Sequence, residues 1–423
     1  MPVIENHSNG WTGGQYSVFR CVMGSYLLIH FLHLIPWGAE VFSNAGMLAD
    51  ASASPLYPLF PNVLFLWDSP VAVVTLLVAG AGLAVAFALG VHDRIAALIL
   101  WYLWACLFTR NPLISNPGLP FIGWILLAHA FVPTRPYGSW DARGRVDPGG
   151  GWRFPASIHT AAWIVMAISY SYSGFTKLAS PSWIDGSALF HVLSNPLARP
   201  TILRETLLSL PHPLIAIATW SALGLEIAFA PMAIFRKLRP WLWLAMLGMH
   251  LSLMTLIDFS DLSAGMLMLQ FFTFDPAWVK GKDGGRVATI FYDGGCGLCH
   301  RFVRFAIAED REAAHFRFAP LEGGAFAALR KSSDRSDVLD DIDSIVLSLP
   351  DGSLLVRAGA VLEIGKRMGG LWRVATAAAG LFPMRVLDAG YDGIARIRRR
   401  IFAQPPDACP LLPDSLRERF DLD

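Results

Sequence analysis

Asp293-Gly294-Gly295-Cys296-Gly297-Leu298-Cys299 decides the reading of the C-terminal part of this chain. An apolar, strand-like run at 287–292 leads into it. An amphipathic stretch at 300–309 with helical spacing follows. A Cys-x-x-Cys pair at such a junction is the pattern of a redox dithiol. The helix start aims unpaired N–H groups and a partial positive charge at the first sulfur. That arrangement favours the thiolate, the reactive form. The second sulfur lies one helical turn on, on the same side.

Outward from this motif, composition divides the chain. Charged residues make up roughly 9% of positions up to Val279 and roughly 28% beyond, and only the second value is that of an ordinary soluble domain. The first part has apolar runs too long and too frequent for a soluble fold. Gly281 to Gly285 is a polar, glycine-rich stretch suited to a linker. A net charge of +1 gives no reason to expect a nucleic-acid partner. Five cysteines are too few for a disulfide scaffold. Cys21 and Cys106 fall in apolar runs and read as packing residues. The first residues lack a basic region followed by an apolar run, so no cleavable signal peptide is expected.

Hydropathy suggests about eight membrane spans, at 18–36, 70–91, 95–108, 120–132, 158–177, 213–235, 241–259 and 262–274. Trp37, Trp67, Trp101, Trp183, Trp241 and Trp278 sit near their ends, as interfacial aromatics do. Arg94, then Arg135 to Arg153, then Arg236 to Arg239, then Lys280 to Arg286 fall in alternate loops, whereas 37–69 has no Lys or Arg. Eight spans would put the basic loops and the Cys-x-x-Cys region in the cytoplasm. Arg20, Lys177, Glu226 and His250 lie within or at the edge of spans, where a charge must pair, snorkel or work. Arg20 could snorkel. Glu226 could pair with Arg20 or His250, or belong to a site. Lys177 closes the fifth span, where desolvation would favour a neutral, basic amine. Interfacial snorkelling is the plain alternative for it.

Gly174-x-x-Lys177 followed by Trp183-x-x-Gly186, with Gly248-Met249-His250 running on to Phe271-Phe272-Thr273-Phe274, resembles the vitamin K-dependent gamma-carboxylase family. The region, about 12–279, corresponds to the HTTM domain of that family's bacterial members. The resemblance implies that Lys177 acts as a base toward a reduced naphthoquinone. It also implies a quinone cofactor, menaquinone or vitamin K-like, with His250, Glu226 and Trp183 in its site. The chain continues into something unlike the glutamate-binding region of the animal enzymes, so glutamate carboxylation is not expected.

The C-terminal order is strand 287–292, helix 298–308, strand 316–319, short helix before Lys331, strand 345–349, a Pro350-Asp351-Gly352 turn, a returning strand at 354–357 and helices to about 402. This is the order of a thioredoxin-like α/β domain. Asp293-x-x-Cys296-x-x-Cys299 resembles the DCC family (DUF393), over about 287–421. Asp343-Ser344, Pro383, Tyr391-Asp392-x-x-Ala395-Arg396 and Cys409 belong to the resemblance. It implies a thiol-disulfide oxidoreductase with Cys296 attacking, Cys299 resolving and Asp293 tuning the loop or the proton transfer. Asp343 and Ser344 stand where classical thioredoxins carry a substrate-contacting cis-proline. Cys296-x-x-Cys299-His300 also fits haem attachment, and His300 with Cys409 could form part of a zinc site. No metal is expected, because a second ligand pair is absent. An assembly module with an inert dithiol is a further reading. Cys409 reads as packing or as an auxiliary thiol.

The expected fold class is thus a polytopic α-helical membrane domain (12–279), a linker (280–286) and a small α/β thioredoxin-like domain (287–421). The expected protein is a multi-pass, inner-membrane redox enzyme acting on a disulfide or thiol substrate, with a quinone as small-molecule partner. The alternative is a dithiol domain on a non-catalytic membrane anchor. A transporter is the third reading, with Glu226 and His250 as a proton-coupled pair, but no internal repeat supports it.

Overall fold

The structure is a computed structural model that describes residues 9–57, 59–258, 260–282, 287–310, 312, 314–332, 344–401 and 414–421. It falls into two compact units. One comprises Phe19–Val132 and Pro155–Phe274, the other Met1–Val18, Pro133–Phe154 and Asp275–Asp423.

Every apolar run expected to span is a helix: α1 (Gly13–Leu34), α2 (Pro70–Leu89), α3 (Asp93–Arg110), α4 (Leu119–His129), α5 (Ala156–Lys177), α6 (His212–Ala233), α7 (Arg239–Leu256) and α8 (Ser260–Thr273). Among the described residues, α1, α2 and α6 are long and apolar enough to cross a membrane. A span needs roughly 20 apolar residues. α4 and α8 have 11 and 14 residues, and α3 carries Asp93, Arg94 and Arg110. Arg20 does not snorkel. It is fully buried and pairs with Asp93 at 3.4 Å, and His129 approaches the same carboxylate at 3.6 Å. Cys106 is buried as expected, but Cys21 is exposed.

α5 and α6 approach closely through Gly174. A Cβ there would lie 2.7 Å from the Ile227 backbone nitrogen. Three residues earlier, Ser171 repairs a break in α6. Pro231 has no N–H to give the Ile227 carbonyl four residues back. The Ser171 hydroxyl donates to that carbonyl at 3.0 Å and accepts from the Ala230 N–H at 2.9 Å.

The other unit holds a four-stranded sheet. Its elements are β1 (Ala288–Tyr292), α9 (Gly297–Glu309), β2 (Phe316–Pro320), α10 (Gly324–Ser332), β3 (Val346–Ser348), β4 (Leu354–Val356), α11 (Arg357–Met368), α12 (Gly370–Ala379) and α13 (Met384–Ile401). The strand order is β2-β1-β3-β4. β1 and β2 are parallel, joined through α9, while β3 and β4 form an antiparallel hairpin against β1. This is the thioredoxin-like arrangement. Ile290, Phe316, Phe318 and Leu347 from the sheet pack with Val303, Ala306 and Ile307 of α9 and Ala360 and Ile364 of α11 in one core.

The compact units do not follow the linear division at 279–287. Buried Glu309 ends α9, the end of a helix where a negative charge is unfavourable. Its carboxylate accepts from the Thr12 hydroxyl, from the Gly14 N–H at 2.9 Å and from the Trp372 indole. Gln15 adds an acceptor for the Leu371 N–H at 2.8 Å. These contacts draw the start of α1 into the sheet-bearing unit. Residues 283–286 of the expected linker, Asp343 and Cys409 lie outside the described residues.

A C-terminal segment closes the β2 edge. Phe318 donates to the Arg419 carbonyl, and the Asp421 N–H donates back to Phe318, both at 2.9 Å. The Arg419 guanidinium binds the Asp310 carboxylate and the Phe316 carbonyl and lies over the Phe318 ring. Burial pushes this guanidinium below its ordinary value, and Asp310 offsets part of that. Arg419→Ala leaves Asp310 buried without its cation, which costs about 3 kcal/mol. Hydrogen–deuterium exchange of the full chain is expected to show β2 losing protection while α6 keeps its own.

Candidate functional site

The dithiol is built by the turn between β1 and α9. Cys296 is the residue before the first helical position, with extended backbone, and Cys299 lies within the first turn. The two sulfurs are not joined in a disulfide. The Asp293 carboxylate accepts the Gly295 N–H at 2.8 Å, and the Asp293 carbonyl accepts the Cys296 N–H at 3.3 Å. Asp293 therefore folds the loop over itself, the kind of local turn that Asp side chains favour.

Two further residues hold this loop. The His300 ring bonds to the Gly294 carbonyl through Nε2 at 2.8 Å and stands edge-on to Tyr292. Glu322, in the turn after β2, accepts the Gly294 N–H at 3.4 Å. His300 was legible in sequence only as a candidate metal or haem ligand. Nothing near Glu322 in the sequence pointed to the loop.

The thiols are not displayed on the surface, as a site open to substrate would require. Cys296 is 4% exposed and Cys299 3% exposed, and both belong to the core shared by Tyr292, Val303 and Ile345. Ser344 and Ile345 precede β3, where a thioredoxin would carry its proline. There the Ile345 N–H is taken by the Tyr391 hydroxyl of α13 at 3.0 Å. The backbone donor beside the dithiol is therefore occupied from within the domain.

Residues 290–404 match the family described as DCC1-like thiol-disulfide oxidoreductase. The match covers β1, the dithiol and the helices through α13. YuxK, an uncharacterized protein of Bacillus subtilis (strain 168), is 28% identical over 131 residues, which are 31% of this chain and 91% of that protein. No solved structure is significantly similar to the chain. At the coarse level this marks the sheet-bearing unit as a redox domain of thiol-disulfide type.

The helical unit has its own constellation. Lys177, Glu226, His250 and Trp183 all line one cavity of about 820 Å³ with mostly apolar walls. The close approach at Gly174 brings the end of α5 onto α6, and Lys177 binds both carboxylate oxygens of Glu226. Glu226 thus pairs with Lys177, and not with Arg20 or His250. The Lys177 ammonium also lies 4.6 Å from the centroid of the Trp183 ring. Trp183 is placed by a short helix, Pro181–Ile184, that ends toward Gly186. Gly186 has φ +82°, and a Cβ there would strike Ala216 at 2.6 Å, so the turn needs glycine.

Tyr170 and Gln270 are the residues that sequence reading missed here. The Tyr170 hydroxyl meets His250 Nε2 at 2.8 Å and accepts from Gln270 Nε2 at 3.0 Å. Among the described residues, His250 Nδ1 and Gln270 Oε1 are buried with no hydrogen-bond partner. A buried polar atom without a partner is costly. Of the two, His250 belongs to the lining of the apolar cavity.

His300→Phe keeps the bulk beside Tyr292 and deletes the bond to Gly294. Losing about 1 kcal/mol of loop restraint is expected to raise the alkylation rate of Cys296 about fivefold. The rate of iodoacetamide labelling, followed by mass spectrometry, measures it.

Proposed function

We propose that this chain is an integral-membrane thiol-disulfide oxidoreductase whose helical unit, an HTTM-like domain, holds a quinone. The observation that carries the reading is the reduced Cys296-x-x-Cys299 pair at the start of α9, inside a region with the DCC1-like match. The Cys296 thiolate attacks a substrate disulfide. A new S–S bond forms to Cys296, and the leaving thiolate takes up a proton. Cys299, one turn on, then loses its proton and attacks Cys296. The second substrate thiol leaves, and the Cys-x-x-Cys pair is left oxidised. Each turnover moves two electrons from the dithiol to the substrate, and the reverse direction uses the same steps. Asp293, His300 and Glu322 hold the loop in which Cys296 must act. Access requires the cover over the two buried cysteines to open.

The donor set supports a quinone in the helical unit. The cavity volume lies within the usual range for small-molecule sites. Its apolar walls suit a ring and an isoprenoid tail; Lys177 offers a donor to ring oxygens, and the Tyr170–His250 pair keeps one further hydrogen outside its mutual bond. Glu226 holds the Lys177 amine in place and is the acceptor for its proton. A bound quinone supplies a two-electron, two-proton partner matched to a dithiol. Glutamate carboxylation is not part of the proposal. Alternate basic loops support a multi-pass inner-membrane location with the dithiol in the cytoplasm.

Turnover of the purified chain with a protein disulfide and a short-chain quinol tests both parts. Cys296→Ser is expected to abolish disulfide exchange, and Cys299→Ser to accumulate a mixed disulfide on Cys296. Lys177→Ala is expected to lower quinol-coupled turnover by at least about tenfold while leaving exchange with dithiothreitol intact. Unchanged exchange in Cys296→Ser overturns the oxidoreductase reading. Unchanged quinol coupling in Lys177→Ala leaves the helical unit as an anchor.

A further inference from the structure

α13, Met384–Ile401, is amphipathic in an unusual sense. Its polar side faces its own domain. Tyr391 accepts the Ile345 N–H, and Asp392 pairs with Arg357 at 3.6 Å. Asp388 and Asp392 share this side by helical spacing. The opposite side carries Val386, Gly390, Ile394 and Ile397 at spacings of four, four and three, which make one continuous stripe. Val386, Ile394 and Ile397 are 56%, 55% and 46% exposed. The turn leading into the helix exposes Leu381 and Phe382 by 85% and 60%. A surface helix normally buries such a stripe against its core. Here the core side is already satisfied by polar bonds, and among the described residues the apolar side is exposed.

The charges say what would cover it. The helix sequence holds five arginines against two aspartates. Arg385 and Arg396 are exposed. By helical spacing Arg385 and Arg396 lie between the stripe and the side that carries Asp388 and Asp392, nearer to Asp392. Arg398, Arg399 and Arg400 continue the helix sequence. An apolar face bordered by arginines suits a lipid–water boundary with anionic headgroups. A second copy packed face to face would bring arginine borders together, which disfavours it. A bilayer is also close at hand for a chain with three helices able to cross one.

We propose that the outer face of α13 docks in the headgroup layer of an anionic membrane, seating its apolar stripe among the acyl chains and its arginines against lipid phosphates. The proposal concerns a surface remote in kind from the redox chemistry and stands without it.

The wild-type full chain in nanodiscs of phosphatidylcholine, with or without about one third phosphatidylglycerol, tests this by hydrogen–deuterium exchange. Docking predicts that amides of 386–397 exchange at least about tenfold more slowly in the anionic discs, and that 1 M salt reverses much of the protection. Ile394→Glu with Ile397→Glu, both pointing away from the domain core, is expected to remove the protection while leaving that of β1 unchanged. Equal exchange in both lipids overturns the proposal. So does protection that depends on protein concentration, which would mark a second copy, or protection that persists in detergent, which would mark another part of the chain.

Discussion

One buried carboxylate holds the sheet-bearing unit together. Glu309 sits at the unfavourable end of α9 and takes donors from Thr12, Gly14 and Trp372. Two donors come from the start of α1 and the third from α12, and a buried carboxylate is tolerated only when donors meet it. The dithiol lies at the opposite, favourable end of the same helix. Thus α9 carries a site for a thiolate at its start and a fixed anion at its finish. The position of the reactive end depends on how firmly the other end is held, since a helix of 13 residues moves as a rod.

The helical unit obeys the same rule in a more apolar setting. Its buried charges occur with partners: Arg20 and His129 with Asp93, Arg110 with Asp68, and Lys177 with Glu226. The first two join separate helices or loops and read as structural. The third differs because it opens on a cavity and has Trp183 beside it. Tyr170 and His250 line the same cavity and, with Gln270, form a second polar group with unused capacity. The contrast separates a pair that holds the bundle from a pair placed to meet a ligand.

Local pattern was enough to read the C-terminal strands, the hairpin turn and the dithiol helix, because each depends on neighbours a few residues away. The eight apolar runs were legible as helices for the same reason. Their membrane role was less so: Asp93 and Arg94 at one helix start, and the shortness of α4 and α8, break the simple count. Contacts across long stretches of chain were beyond reach. Thr12 meeting Glu309, Glu322 reaching the Gly294 N–H, and Tyr391 capping Ile345 leave no periodic trace. Glu226 was singled out by its isolation in an apolar run, but the partners considered for it, Arg20 and His250, did not include Lys177. The geometry that decided it, Gly174 against Ile227, is a feature of packing.

Ser171 has a consequence for motion in the helical unit. Its hydroxyl is threaded into the gap that Pro231 leaves in the neighbouring helix, accepting from one turn and donating to the next. Such a pin forbids α5 and α6 from sliding past one another without baring a carbonyl in a dry interior. The wall bearing Lys177 and Glu226 is therefore the stationary jamb of the cavity. Change in the cavity's shape therefore falls to its other walls, where α7 and α8 contribute His250 and Met266.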